Sequence, residues 1–205
     1  MPRSGERTHQ RILDAAYGLF RRKGFTRVSM DDIAAATDVT KRTLYHHFES
    51  KDALLAAVLG AQHDLALAAF KTFGDRLSGS PEQMVGAMFE DLAVWSDTPR
   101  WAGSGFTRLV VELADLPGHP ARVIARRHKA LLEKHLADLL AQAGAAEPAD
   151  IAREIWLLSE GAITLMLVHG NRRYAAAAGR AAVKLLRSSL AARRATRARL
   201  TKLRC

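Results

Sequence analysis

Apolar residues recur at helical spacing along almost the whole chain. Ile12, Ala15, Ala16, Leu19 and Phe20 mark one face of a helix predicted from about Arg7 to Lys23, stopped by Gly24 at its C′ position. Ser29 as N-cap, Asp32 three residues on and Val28 placed to pack on Ile33 predict a second, short helix whose core face is Ile33 and Ala34. After the link Thr37-Asp38-Val39, Thr40 caps a third helix from about Lys41, with Val39 stapled to Leu44. Leu44 and Phe48 lie four apart and share a face, which leaves Lys41, Arg42, Thr43 and His47 on other faces and Tyr45 and His46 at the flank. A helix this short has one side in the core and one presented, here cationic and hydrogen-bonding. Two short helices joined by a tight turn, the second cationic at its start, read as a helix-turn-helix whose second helix enters a DNA major groove.

Further along, a fourth helix opens at Ser50 and runs towards Phe73, long enough to leave the DNA-binding unit and enter the next domain. Ser80 as N-cap, Pro81 at N1 and Gln83 at N3 open a fifth, to about Ser96. A sixth is predicted from about Ser104 to Asp115, followed by the breaker Leu116-Pro117-Gly118-His119-Pro120. Helices follow from Pro120 to Ala143, from Pro148 to Gly170, and from about Arg172 into an Arg-rich tail. Nothing alternates like a strand and nothing repeats, so the chain is all-α with nine or so helices. The penultimate helix carries two apolar or small-residue stripes, one of Ile151, Ile155, Leu158, Ala162, Leu165 and His169, the other of Leu157, Gly161, Thr164 and Val168. The last helix offers Ala175 to Ala178, Gly179, Ala181 and Ala182, which admit a close neighbour. Either this pair is buried in its own bundle, or it builds a two-fold dimer through a four-helix bundle.

The run D-D-I-A-A-A-T-D-V-T-K-R-T-L-Y-H-H-F-E-S-K-D-A-L resembles the tetracycline-repressor (TetR) family of bacterial one-component regulators over its DNA-binding segment. The specific part is L-Y-x-H-F, a short link to Lys51 and a long helix. The resemblance implies a three-helix DNA-binding domain over 7–67, with its helix-turn-helix at about 29–48. It also implies a helical effector-binding and dimerisation domain over 68–192, a basic tail over 193–205, and a homodimer through the last two long helices. Tyr45, His46 and Lys51 match family positions that hold phosphates, and His47 matches the H of the pattern, where it either does the same or packs locally. The sequence departs from the family at Asp38, usually a turn Gly, and at Arg42, often Gly; Asp tolerates a left-handed turn, whereas Arg42 changes what is read.

Charge sharpens this picture. The net charge of +10 is carried by the ends: residues 1–51 hold ten Lys/Arg against six Asp/Glu, residues 187–205 hold seven Lys/Arg and no acid, and the middle is near neutral. Basic charge confined to a helix-turn-helix segment points first to duplex phosphates. Lys41, Arg42 and Thr43 are candidates for base edges, with Arg42 bidentate to a guanine as the sharpest case. Arg27, Ser29 and Thr40 are second-rank phosphate candidates, capping being the favoured role of Ser29. Met84, Met88, Trp95, Phe106, Met166 and His169 are candidates to line an apolar effector pocket, or are plain core, with Arg108, Glu112 and His63 as possible polar groups in it.

Other chemistries find little support. Ser104 in A-G-S-G-F lacks the spacing of a nucleophile elbow and suits a helix start. His119, His128 and His135 lack the spacing of a metal site, so neither an enzyme nor a cofactor or metal is expected. The single cysteine, Cys205, allows no internal disulfide, there is no apolar leader, and the apolar run Ile155 to Val168 is interrupted by Glu160; the expectation is a cytoplasmic protein with no membrane partner. The sequence therefore reads as a regulator, most simply a repressor, whose small-molecule effector releases it from a palindromic DNA operator. The alternative is a DNA-binding dimer without an effector, acting architecturally or through a protein partner.

Overall fold

A computed structural model describes the backbone of residues 4–76, 79–99 and 101–202, and the side chains of 5–69, 79–99 and 101–194. The described residues form α1 (Ser4–Lys23), α2 (Met30–Thr37), α3 (Lys41–His47), α4 (Lys51–Arg76), α5 (Pro81–Ser96), α6 (Gly105–Glu112), α7 (Pro120–Gln142), α8 (Pro148–His169) and α9 (Arg173–Lys202), with no strand among them. Much of the tail, including Cys205, lies outside the described residues.

The helix starts are where local chemistry puts them. Ser29 and Asp32 exchange hydrogen bonds in a complete capping box, as do Ser80 and Gln83, and Thr40 and Ser104 each accept from the third backbone N–H of the helix they open. Gly24 and Gly170 end their helices at positive φ. The tight turn after α2 places Asp38 in the left-handed region, φ 50°, ψ 43°, where the family resemblance leads one to expect Gly. Only α6 is clearly shorter than its pattern predicts, ending at Glu112 rather than near Asp115. There the guanidinium of Arg122 donates to the carbonyls of Leu113 (3.3 Å) and Ala114 (2.8 Å), which serve the chain end from the side.

Two compact units result. The first comprises Met1–Ala68 and Ser104–His128. One of its cores joins Ile12, Ala16, Leu19, Val28, Ile33, Leu44, Phe48, Leu54 and Val58, so both staples and both short helices close on the same cluster. A second cluster sets Phe25, Leu55 and Leu59 against Phe106, Leu109, Leu113, Ala121 and Ala125. That cluster explains why the unit takes in 104–128, a stretch the sequence assigns to the second domain: apolar side chains of α6 and early α7 cover Phe25 and the start of α4. By length and composition Lys51–Ala69 of α4 could cross a bilayer, yet Leu54, Leu55, Val58 and Leu59 are buried in these clusters.

The second unit comprises Ala69–Gly103 and Lys129–Cys205. Val85 and Phe89 of α5, Leu136 and Leu140 of α7, Ile155 of α8, and Ala182 and Leu186 of α9 form its core. Gly179 has a packing reason: a Cβ there would lie 2.9 Å from Cβ of Phe89, so only glycine lets α9 approach α5 this closely. On α8, Ile155 and Ala162 are buried, whereas Leu157, Gly161, Thr164 and Val168 are all exposed, so the second predicted stripe faces away from the unit's own core.

Candidate nucleic-acid interface

The presented side of α3 is set by its buried side. Leu44 is fully buried and Phe48 nearly so, which turns Lys41, Arg42, Tyr45 and His46 outwards. Arg42 is exposed and, among the described residues, its side chain makes no ion pair or hydrogen bond; the same holds for the side chain of Arg27 at the entry to α2. A guanidinium without an internal partner keeps its planar fork available for guanine O6 and N7 or for phosphate.

Lys41 is held differently. Its Nζ pairs with Asp31 of α2 at 2.8 Å, and the hydrogen bond and charge of Asp31 raise its pKa. Both side chains are exposed, so the pair is screened and exchangeable, and Lys41 can trade Asp31 for nucleic acid. Thr40 and Thr43 are tied to one another, with hydroxyls 2.8 Å apart and the Thr43 N–H donating to Thr40 Oγ1 at 3.1 Å. Ser29 is engaged in its capping box, where its N–H (2.9 Å) and hydroxyl (2.6 Å) both donate to Asp32. Those bonds, with the Lys23 ammonium, lower the Asp32 pKa to about 2.

Two residues are engaged within the protein. His47 is half-buried beside the stacked rings of His9 and Phe48; burial, then the nearby His9 and His46, lowers its pKa, which favours the neutral ring and, of its two expected roles, local packing over a phosphate contact. Lys51, expected at a phosphate, has partners within the protein as well. Its Nζ donates to the carbonyls of Phe25 (3.1 Å) and Val28 (3.0 Å) and lies 4.4 Å from the centre of the Phe25 ring. The lysine holds the turn between α1 and α2, a job nothing local in the sequence announces.

The six candidate pocket residues are divided between the two units. Phe106 lies in the first unit, where its ring stacks 3.8 Å from that of His128, while the other five belong to the second unit. Of these, Met84 and Met88 pack on the core, Met166 is buried, Trp95 meets Trp101 edge to face, and exposed His169 stacks on Tyr174. The proposed polar groups are engaged elsewhere: His63 bonds His128 through ring nitrogens 2.8 Å apart, and Arg108 and Glu112 grip the α1–α2 region. The indole N–H of Trp101 is buried with no acceptor among the described residues. No three His, Cys, Asp or Glu among the described residues are grouped as metal ligands would be.

Residues 12–58 match the profile of the bacterial regulatory proteins of the tetR family. Over 71 residues, 35% of this chain and 36% of the relative, the sequence is 39% identical to the HTH-type transcriptional regulator UidR of Escherichia coli. Over 63 residues, 30% of each chain, it is 43% identical to the HTH-type transcriptional regulator SrpR of Pseudomonas putida. The chain thus aligns with about a third of the length of these curated relatives. The fold is similar, with a TM-score of 0.82 at 24% identity, to that of a TetR-family transcriptional regulator from Streptomyces coelicolor, covering 90% of this chain and 97% of that one. It is also similar to a putative TetR transcriptional regulator from Streptomyces avermitilis, with a TM-score of 0.76 at 28% identity over 89% and 97% of the two chains.

Proposed function

We propose that the chain, whose residues 12–58 match the tetR family of bacterial regulatory proteins and whose fold is similar to that of TetR-family regulators, is a cytoplasmic, ligand-responsive transcriptional repressor, a regulator and not an enzyme, that binds a palindromic DNA operator as a homodimer. The observation that carries this reading is the division of α3, with Leu44 and Phe48 inside and Arg42, Tyr45 and His46 outside. In it, Arg42 reads a base edge, Lys41 exchanges Asp31 for nucleic acid, and Arg27, Thr40, Tyr45 and His46 approach phosphates. Dimerisation is supported by the outward stripe of α8, where Leu157 and Val168 are each 67% exposed beside a groove lined by Leu165, Gly161, Ala177 and Ala181. Two copies paired there would set two reading helices about 34 Å apart, one for each of two successive major grooves.

The effector belongs to the second unit. Its support is the indole N–H of Trp101 beside Trp95, which has no acceptor among the described residues, because a buried donor without an acceptor is rare and a ligand oxygen would satisfy it. By linkage, effector and operator oppose each other, with a coupling of about 1 to 3 kcal/mol. The alternative, a DNA-binding dimer without an effector, is favoured by the engagement of His63, Arg108 and Glu112 in bonds within the first unit. Selecting bound fragments from the source genome tests the DNA reading, and recovery of no enriched palindrome would overturn it. Titrating small molecules against the operator complex then separates the two readings, since only the first loses DNA on ligand addition.

A further inference from the structure

We propose that Glu112 is the positioning residue through which α6 sets the DNA-binding head: its carboxylate grips the turn between α1 and α2 and holds α2 and α3 as a specific operator requires. The inference rests on the reading of the chain as a sequence-specific DNA-binding protein.

The turn from Gly24 to Ser29 precedes α2 directly, and four of its backbone polar groups are taken by two side chains from distant parts of the sequence. Glu112 accepts from the N–H of Phe25 (3.0 Å) and from both the N–H and the hydroxyl of Thr26 (2.6 Å each), while Lys51 takes the carbonyls of Phe25 and Val28. Arg108, one turn before Glu112, donates to the carbonyl of Arg21 at 3.0 Å, so α6 also holds the end of α1. The seat is shaped for the carboxylate: Gly24 has φ 86°, and a Cβ there would stand 3.0 Å from Oε1 and 3.3 Å from Oε2 of Glu112. Burial pushes the Glu112 pKa up, but the bonds from Thr26 and Phe25 and the charge of Arg108 outweigh it and leave it lowered, so the group is ionised at neutral pH.

A directional grip does what the apolar contacts beside it do not. Phe106, Leu109 and Leu113 pack on Phe25, Leu55 and Leu59, and such contacts tolerate small slips. A slip of α6 by one residue, about 1.5 Å, would instead carry the Glu112 bonds beyond hydrogen-bonding distance. The placement of α2 is therefore tied to the register of α6, and through the shared core of Ile33, Leu44 and Phe48 so is α3.

The test uses the full chain and an operator recovered from genomic fragments, with a scrambled duplex of equal length and thermal unfolding followed in parallel. Glu112→Ala is expected to weaken operator binding about tenfold while changing scrambled-DNA binding by less than about twofold. Thr26→Val is expected to weaken it less, and the double variant to lose no more than Glu112→Ala alone, because the two residues share one set of bonds. Glu112→Gln keeps an acceptor for Thr26 but loses the one for Phe25, so it should fall between wild type and Ala; it also serves as the variant to judge if Glu112→Ala does not fold. Operator affinity unchanged in Glu112→Ala, equal losses on both duplexes, or multiplying losses in the double variant would each overturn the latch. A wild-type protein with no preference for any recovered fragment would overturn the DNA reading, and the latch with it.

Discussion

The helix pair α2–α3 and the helix pair α8–α9 both turn one face inwards and one outwards, but their outward faces are opposite in kind. On α3 the outward side is Lys41, Arg42, Tyr45 and His46, groups that water and counter-ions solvate well. On α8 it is Leu157, Gly161, Leu165 and Val168, where each Å² left in water costs about 25 cal/mol. The first surface stands at little cost in isolation and is ready to exchange its ions for phosphates. The second gains when covered. A partner held by the first is salt-sensitive and chosen by geometry, whereas one held by the second is salt-tolerant and chosen by shape.

The largest expected effect is on the apolar face. Leu157→Glu together with Leu165→Glu would remove about 2 kcal/mol of burial per side chain in each copy and bring like charges together. Light scattering at micromolar concentration should then give a monomer with helicity retained; a dimer that survives breaks the assignment of this face. Salt separates the two surfaces next. Raising it from about 50 to about 200 mM should cost on the order of a thousandfold in DNA affinity if six or more phosphates are engaged, with the dimer mass unchanged. A flat DNA response would remove the electrostatic half of the comparison.

Arg42→Ala sharpens the reading face itself, with an expected loss of about 1 to 3 kcal/mol on the operator and much less on scrambled DNA. Equal losses on both would make Arg42 a phosphate contact. Lys51→Ala is the useful contrast, because two turn carbonyls lose their donor and thermal stability should fall along with DNA binding. The smallest effect concerns Asp32, whose folded pKa of about 2 lies below the usual 3.8. A depressed carboxylate pKa contributes stability that is whole above 3.8 and lost as pH falls towards 2. Asp32→Asn should therefore unfold at a lower temperature than wild type near pH 6, with the difference vanishing near pH 2. A difference that persists there would assign the loss to the altered side chain instead of the charge.

Local chemistry made part of this legible. A capping box, a staple or a C′ glycine acts over at most five residues, so Ser29 with Asp32, Val39 with Leu44, and Gly24 each betray a helix end without knowledge of the rest. The same reach let spacing alone put Leu44 and Phe48 inside and Arg42 outside, and it showed a second apolar face on α8 without saying whether the helix's own bundle covers it. Periodicity says which side of a helix is buried and nothing about what it is buried against. Hence Phe106, which reads equally well as a pocket wall, became a lid on Phe25 and α4, and Lys51 turned to two carbonyls more than twenty residues upstream. Glu112 could be understood only from the fold, because the N–H groups it accepts from lie 86 and 87 residues away, and no pattern within a helix encodes a bond of that span.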